Sequence, residues 1–475
     1  MIRGGAWVFA LRMTNRGLGL VRTIVLARLL SPEDFGLFGI AMLSISILET
    51  FSQTGFHAAV IQKQETVESY LDTAWTVSAV RGMLIFAGLF FFSPLIAAFF
   101  NSPHAKTIIR VIALSALLAG FRNVGILFFQ KELNFGKQFF YQLSGTLADI
   151  SVAIVLAIKL QSVWALVYGG LAANFIMLFM SYAVHPYRPR ISFDKRKFQD
   201  LFGFGKWVLG SGILIFLITR GDDIFVGRVL GIAALGLYQM AYNLSNLPAT
   251  EITHVISQVT FPAYSKFQDD ISRLRKAYLR VFHFTAFLSV PLSAGIFVMA
   301  PDFTRIFLGE KWASMIPAFQ ILACWGIIRS LGATAGPVFQ SVGQPAVLTK
   351  LQLLVLVFLC VFIYPFSIKW GICGTSLAIV LSTFFPNMAA TFLVIKKIQC
   401  RGLDLVKRLS WSLIHTGIMI FIILAVKNYL ISFMGIAEFL LVIGLGCLVY
   451  FGTSYAFRNL FPDHKEALDF IMQKI

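Results

Sequence analysis

Arginines and carboxylates recur inside the apolar segments of this chain, and they set the chemistry open to it. The densest group is Phe216 to Tyr242, FLITRGDDIFVGRVLGIAALGLYQMAY, with Arg220, Asp222, Asp223 and Arg228 within nine residues. Arg12, Arg16 and Arg22 lie in the first apolar segment, and Arg81, Arg122 and Arg329 lie in later ones. Charges in such settings are costly and face a protein interior or a wet cavity, so each is a functional candidate. Guanidinium groups hold their charge at any working pH and bind phosphate with two parallel hydrogen bonds. A basic interior therefore suits an anionic ligand, with a phosphate head as the natural candidate.

Arg12 and Arg16 are four residues apart and share a helix face. Arg12 can snorkel to the interface, whereas Arg16 sits deep enough to face a cavity. For Arg81, Arg122 and Arg329 an internal salt bridge competes with a cavity role. The acids are fewer: Glu49, Asp72, Asp149, Asp222, Asp223 and Glu251. Asp149, Asp222 and Asp223 could each pair with an arginine or take a proton or Na⁺ during a cycle. His57, His254 and His283 read as satisfied polar groups. Five cysteines (Cys324, Cys360, Cys373, Cys400, Cys447) show neither metal nor disulfide spacing. No HExxH, P-loop or GxSxG motif occurs. No enzyme activity, cofactor, metal site or nucleic-acid partner is expected.

The elements that position these residues are membrane helices. The chain has 475 residues, 58% apolar and 13% charged, with mean hydropathy +0.79, whereas a soluble protein carries about 25% charge. Apolar runs of about 20 residues mark an all-α polytopic membrane protein. Fourteen spans are predicted, near 5–28, 36–56, 70–99, 107–129, 135–159, 162–183, 203–229, 232–262, 278–302, 314–340, 344–367, 371–395, 410–431 and 435–456. The connections are too short for a separate catalytic domain. Basic residues concentrate after spans six (Arg188, Arg190, Lys195, Arg196, Lys197, Lys206), eight (Lys266, Arg273, Arg275, Lys276, Arg280) and twelve (Lys396, Lys397, Arg401, Lys407, Arg408). That bias places these loops and both termini in the cytoplasm, and it accounts for much of the +18 net charge.

The spans also repeat. Residues 24–41 (IVLARLLSPEDFGLFGIA) match 224–241 (IFVGRVLGIAALGLYQMA) at six of 18 positions, among them Arg28/Arg228, Gly36/Gly236 and Leu37/Leu237. Pro94 matches Pro301 at offset 207, and Phe129-Gln130 matches Phe339-Gln340 at offset 210. Six spans repeated once give two parallel halves related by an axis along the membrane normal. The division predicted is a six-helix lobe over 1–200, a second over 201–400, and two further helices with a cytoplasmic tail over 401–475. Two parallel halves suggest alternating access around an interface site. Without a nucleotide motif, an ion gradient, the membrane potential or the cargo's own gradient must drive it.

LVRTIVLARLLSPEDFGLFGIAML (Leu20 to Leu43), DDIFVGRVLGIAALGLYQMAY (Asp222 to Tyr242) and SVWALVYGGLAANF (Ser162 to Phe175) together resemble helix signatures of bacterial polysaccharide exporters. These belong to the multidrug/oligosaccharidyl-lipid/polysaccharide superfamily, and the O-antigen or colanic-acid-type flippases are the subgroup most resembled. The resemblance implies a cationic central cavity in the bacterial inner membrane. The cargo it implies is an oligosaccharide on undecaprenyl pyrophosphate, moved from the cytoplasmic to the periplasmic leaflet for lipopolysaccharide or exopolysaccharide synthesis. H⁺ or Na⁺ would be the coupling ion, and a polysaccharide polymerase a partner. By helix and depth, the cavity residues would be Arg12, Arg16, Arg81, Arg122, Arg220 and Arg329, with Asp149, Asp222 and Asp223 as ion-coupling or salt-bridge groups. A multidrug efflux antiporter and a lipid II flippase are same-superfamily alternatives; a membrane glycosyltransferase or polymerase is a distant one, since it would need larger outward loops. The repeat assigns Arg28 and Arg228 a shared structural task at a turn. In the opening stretch this leaves Arg220 and Asp222, with Asp223 beside them, as the functional residues.

Overall fold

The structure is a computed structural model describing residues 2–52, 68–132, 134–192, 194–429 and 435–457. His57 lies outside these residues, as does the tail from 458, and nothing is assigned to the side chains of His254, Lys195, Arg196, Lys197 or Lys206.

The described chain is helical, with no strand among those residues. In order the helices are α1 (Ile2–Leu29), α2 (Pro32–Phe51), α3 (Glu68–Phe99), α4 (Ala105–Ile112), α5 (Leu114–Gly120), α6 (Phe128–Lys131), α7 (Phe135–Leu160) and α8 (Trp164–Val184). There follow α9 (Lys195–Val229), α10 (Ile232–Ser265), α11 (Ile271–Phe303), α12 (Ile316–Gly332), α13 (Gly336–Ser341), α14 (Pro345–Lys397), α15 (Gly402–Tyr429) and α16 (Ile436–Ala456). Nine helical stretches among the described residues are long and apolar enough to cross a membrane. Phe91, Phe421 and Leu448 are each more than 70% exposed, an arrangement favourable only where the surroundings are hydrocarbon.

One predicted span takes another form, and two others join end to end. The segment 107–129 is not one helix but α4, α5 and a 3₁₀ turn (Val124–Leu127) leading into α6. Asn123 caps that turn, accepting a hydrogen bond from the Gly125 amide at 2.8 Å. The segments 344–367 and 371–395 run on as α14, interrupted only where Gly371 adopts φ 57°, a backbone state that glycine enters without a Cβ penalty.

The chain packs as two compact units, Met1–Leu237 and Tyr238–Ile475. In the first, α7 packs along α8, α1 along α7, α3 along α5, and α9 on α2 and α3. In the second, α11 packs along α12 and α15, α12 along α14, and α15 along α16. The packing boundary falls in the second turn of α10, whereas the sequence repeat predicts a boundary before α9.

Local chemistry explains the start of α2. Ser31 accepts from the Asp34 amide at 3.2 Å while Asp34 accepts from the Ser31 amide at 2.9 Å, a reciprocal capping box with Pro32 in the first turn. The other Asp34 oxygen accepts from the Val163 amide at 2.8 Å and so fixes the start of α8. At offset 200 the same turn has Gly231 at φ 95°. The turns meet reciprocally inside the first unit. A Cβ on Gly36 would overlap the Ile232 carbonyl, and a Cβ on Gly236 would overlap the Pro32 carbonyl. Both pairs are repeat mates, and only glycine permits so close a crossing.

The repeated prolines share a second device. Proline strips a hydrogen bond from the carbonyl four residues earlier. Behind Pro94 that carbonyl is Phe90, which accepts from Ser93 Oγ at 2.9 Å and Arg110 Nε at 3.3 Å. Behind Pro301 it is Phe297, which accepts from Gln320 Nε2 at 3.0 Å.

Candidate functional site

In the first unit, α3 and α5 cross with backbones in contact. A Cβ on Gly82 would lie 2.8 Å from the Ala116 carbonyl, and one on Gly120 would lie 2.8 Å from the Ser78 carbonyl. This crossing brings Arg81, beside Gly82, and Arg122, two residues after Gly120, to the same region. Arg81 Nη2 donates to the Glu49 carbonyl at 2.7 Å and its Nε to Ser52 Oγ at 2.9 Å. The Glu49 carboxylate lies within electrostatic range of both Arg81 and Arg122.

Arg122 follows α5 and precedes the 3₁₀ turn. Its Nη2 donates to Asn174 Oδ1 of α8 at 2.7 Å. Its buried Nε makes no well-aligned hydrogen bond, and the buried Tyr141 hydroxyl lies within interaction range of the same guanidinium. Both groups line a cavity of 380 Å³ with Gln138, Gln142, Asn123 and Ser78. A guanidinium set among amides and hydroxyls suits an acceptor-rich ligand. Gln138, Tyr141 and Gln142 occupy one face of α7 at i, i+3 and i+4. That polar stripe on an apolar helix is the sequence signal which a search confined to charges passes over.

The other candidates occupy different settings. Arg12 is half-buried and Arg16 exposed on α1. On the same helix, Asn15 Oδ1 accepts from Thr146 of α7 at 3.2 Å. Asp149 is held by Arg22 through two contacts of 2.9 Å, Nη2 to Oδ1 and Nε to Oδ2, with both side chains about one fifth exposed. Arg220 reaches Asp223 at 3.1 Å one helical turn on, and Asp222 and Asp223 are buried. Asp72 receives the Tyr187 hydroxyl and the Arg190 amide, and so anchors the segment after α8. Arg228 donates to the Phe99 carbonyl at 2.5 Å and to Asn101 Oδ1 at 2.8 Å, tying α9 to the end of α3.

In the second unit, Arg329 of α12 donates to Asn246 Oδ1 at 2.8 Å and Thr250 Oγ1 at 3.4 Å, with Trp325 stacked 5.3 Å from the guanidinium carbon. Trp325 is positioned by its own bond to Thr383 Oγ1, 2.8 Å. Asn246, Thr250 and Thr383 lie on other helices, so no local sequence pattern links them to Arg329.

These helices, with charge in their interiors, define a class before they define a family. The solved structure of the lipid II flippase MurJ in its inward-closed conformation matches with TM-score 0.76 over 97% of this chain and all of that one, at 16% identity. An inward-facing multidrug resistance MATE family transporter of the MOP superfamily matches with TM-score 0.62 over 80% of this chain and 94% of that one, at 18% identity. The fold is therefore the one these two solved structures share. Residues 25–317 match the family described as polysaccharide biosynthesis protein, and the chain belongs to that family. Among curated relatives, the lipopolysaccharide biosynthesis protein WzxC of Escherichia coli K12 is 26% identical over 84% of this chain and 81% of its own. The succinoglycan biosynthesis transport protein ExoT of Rhizobium meliloti is 26% identical over 73% of this chain and 70% of its own.

Proposed function

We propose that this protein is a flippase that moves undecaprenyl-pyrophosphate-linked oligosaccharide repeat units from the cytoplasmic to the periplasmic leaflet of the inner membrane. The observation that carries this reading is the Arg122 cavity. It sets a half-buried guanidinium beside a phenol, two glutamines and a serine. Guanidinium recognises phosphate oxygens, and neutral amides and hydroxyls suit sugar hydroxyls. Membership of a polysaccharide biosynthesis family supports the saccharide part of the cargo.

The six-span repeat supports alternating access of two lobes, 1–200 and 201–400, with two appended helices, fourteen crossings in all and both termini in the cytoplasm. Arg81 lies beside Arg122, and Arg12 and Arg16 line α1 of the same unit, so they extend the basic surface on which pyrophosphate would pass. Arg220 and Arg329 would take it up later in the cycle. Asp222 is the favoured acid for coupling to H⁺ or Na⁺. Asp149 and Asp223, each on an arginine, serve structure first. A polymerase that accepts the flipped unit is the expected partner. The likeness to MurJ favours lipid II as a second cargo of the same chemistry.

The test is a leaflet assay in proteoliposomes containing a fluorescent polyprenyl-pyrophosphate oligosaccharide. Flux should require Arg122. Undiminished flux in an Arg122→Ala protein that folds normally would refute the site, and flux of lipid II alone would reassign the cargo.

A further inference from the structure

The outer face of α8 carries a second cavity that the transport reading does not use. Phe175, Leu178, Phe179, Tyr182 and Ala183 form a groove of 420 Å³, closed at one end by Arg188. Phe175 and Phe179 are 60% and 66% exposed. From 175 to 183 the groove runs about 12 Å along the helix. An exposed aromatic row on a membrane helix meets acyl chains rather than water.

The end of the groove is built. After α8 the chain forms an extended strap, held to α3 and to the loop before α6. The Tyr187 hydroxyl donates to Asp72, the Arg190 amide donates to the same carboxylate at 2.9 Å, and the Ser192 amide donates to Thr76 Oγ1 at 3.1 Å. Asn123 Nδ2 donates to the Tyr187 carbonyl at 2.6 Å. Arg188 is fixed by one guanidinium nitrogen, which donates to the His185 and Tyr187 carbonyls at 2.8 and 3.0 Å. Its guanidinium carbon lies 6.0 Å from the centre of the Tyr182 ring, and Tyr182 is itself anchored to the Phe121 carbonyl at 2.8 Å. Asp72, the α3 acid that holds this strap, is taken up by its two donors. Arg188 and Arg190 both remain exposed.

An arginine held in place, aimed outward and set at the mouth of an apolar aromatic groove matches a two-part ligand with an anionic head and a hydrocarbon tail. Basic pockets between membrane helices on the positively charged side select anionic lipid headgroups. We infer that this groove is a site for an anionic glycerophospholipid of the leaflet on the basic side. One acyl chain lies along Phe175 and Phe179, and the phosphate sits on Arg188 and Arg190. The lipid would fasten the strap to α8 and couple the first unit to the membrane surface.

The test uses the full chain and does not read transport, so it stands or falls separately from the cargo. Native mass spectrometry would compare retention of phosphatidylglycerol and phosphatidylcholine by the wild type, by Arg188→Ala/Arg190→Ala, and by Ala183→Trp. The last variant fills the groove from an exposed position without altering charge. The expected result is selective retention of phosphatidylglycerol by the wild type, weakened about tenfold or more in the arginine variant and lost in Ala183→Trp. Phosphatidylcholine should bind all three alike. Equal phosphatidylglycerol retention by all three would mean annular lipid only and would overturn the site. Displacement of phosphatidylglycerol by equimolar undecaprenyl phosphate, which the same variants abolish, would assign the groove to the carrier lipid and overturn it as well.

Discussion

The two units solve one problem in the same way and another differently. Behind Pro94 and behind Pro301, the orphaned carbonyls Phe90 and Phe297 are repeat mates at offset 207. The side chains that satisfy them, Arg110 and Gln320, are repeat mates at offset 210. The helix bend and its repair have persisted although the donor differs, because only a reaching N–H is needed. The Arg122 position is the opposite case. At offset 210 its mate is Gly332, where a side chain would overlap Asn387. The second unit instead carries Arg329 one turn earlier, saturated by Asn246, Thr250 and Trp325. Backbone repair is common to both units, while the arginine lining a polar cavity belongs to the first.

The largest test of that contrast is Arg122→Ala. Losing a charge-assisted contact to phosphate should lower flux on the order of 100-fold, read in the leaflet assay, with thermal unfolding little changed. Equal loss from Gly332→Ala, at the mate position, would break the asymmetry. That substitution should act through packing alone, costing about 1–3 kcal/mol of stability.

Asp149 sharpens the comparison from the other side, because its partner Arg22 is neutralised where Arg122 is open. Asp149→Ala would leave a part-buried guanidinium uncompensated and should cost about 2 kcal/mol in thermal unfolding, below the range for fully buried pairs. Arg22→Met with Asp149→Leu should recover most of it. If Asp149 took part in ion coupling, the double variant would fold yet fail to transport.

The bend device should show smaller effects. Arg110→Gln installs the second unit's donor in the first and should stay within about 0.5 kcal/mol of wild type. Arg110→Ala should cost about 1 kcal/mol, since Ser93 continues to cover the Phe90 carbonyl.

The smallest effect concerns the strap. His185 accepts from the Tyr187 amide at 3.2 Å and stacks on Phe128. Burial, opposed by Glu132 and aided by Lys137 and Arg188, holds its pKa below the ordinary 6.5. A depressed histidine favours the folded state while neutral. Its contribution is complete above pH 6.5 and declines as pH falls through that value toward the folded pKa, because the unfolded chain then binds the proton first. Protection of the amides in 187–192, corrected for the base-catalysed intrinsic exchange rate, should therefore fall on acidification in the wild type. In His185→Gln the corrected protection should be independent of pH over the same window.

Much of the fold was legible in the residues. Long apolar runs made membrane helices inevitable, because hydrocarbon leaves the backbone no partner but itself. The matched Gly36 and Gly236 announced a close crossing, although not that the two would meet each other. The break between 107 and 129 was not legible. Its apolar content satisfies a spanning helix, and the interruption rests on Asn123, which caps the 3₁₀ turn and donates its backbone amide to Ser181 Oγ at 2.9 Å.

The sequence by itself determined that charges enter the membrane and that arginine outnumbers acid there, because composition and hydropathy are properties of single positions. Which arginine is spent and which is open was decided by tertiary structure alone. Arg22 and Arg122 look alike along the chain. The first meets the carboxylate of Asp149, 127 residues away, and the second meets the neutral amide of Asn174, 52 residues away. A guanidinium's availability is a sum over its neighbours, and those neighbours are assembled only when α1, α3, α5, α7 and α8 pack.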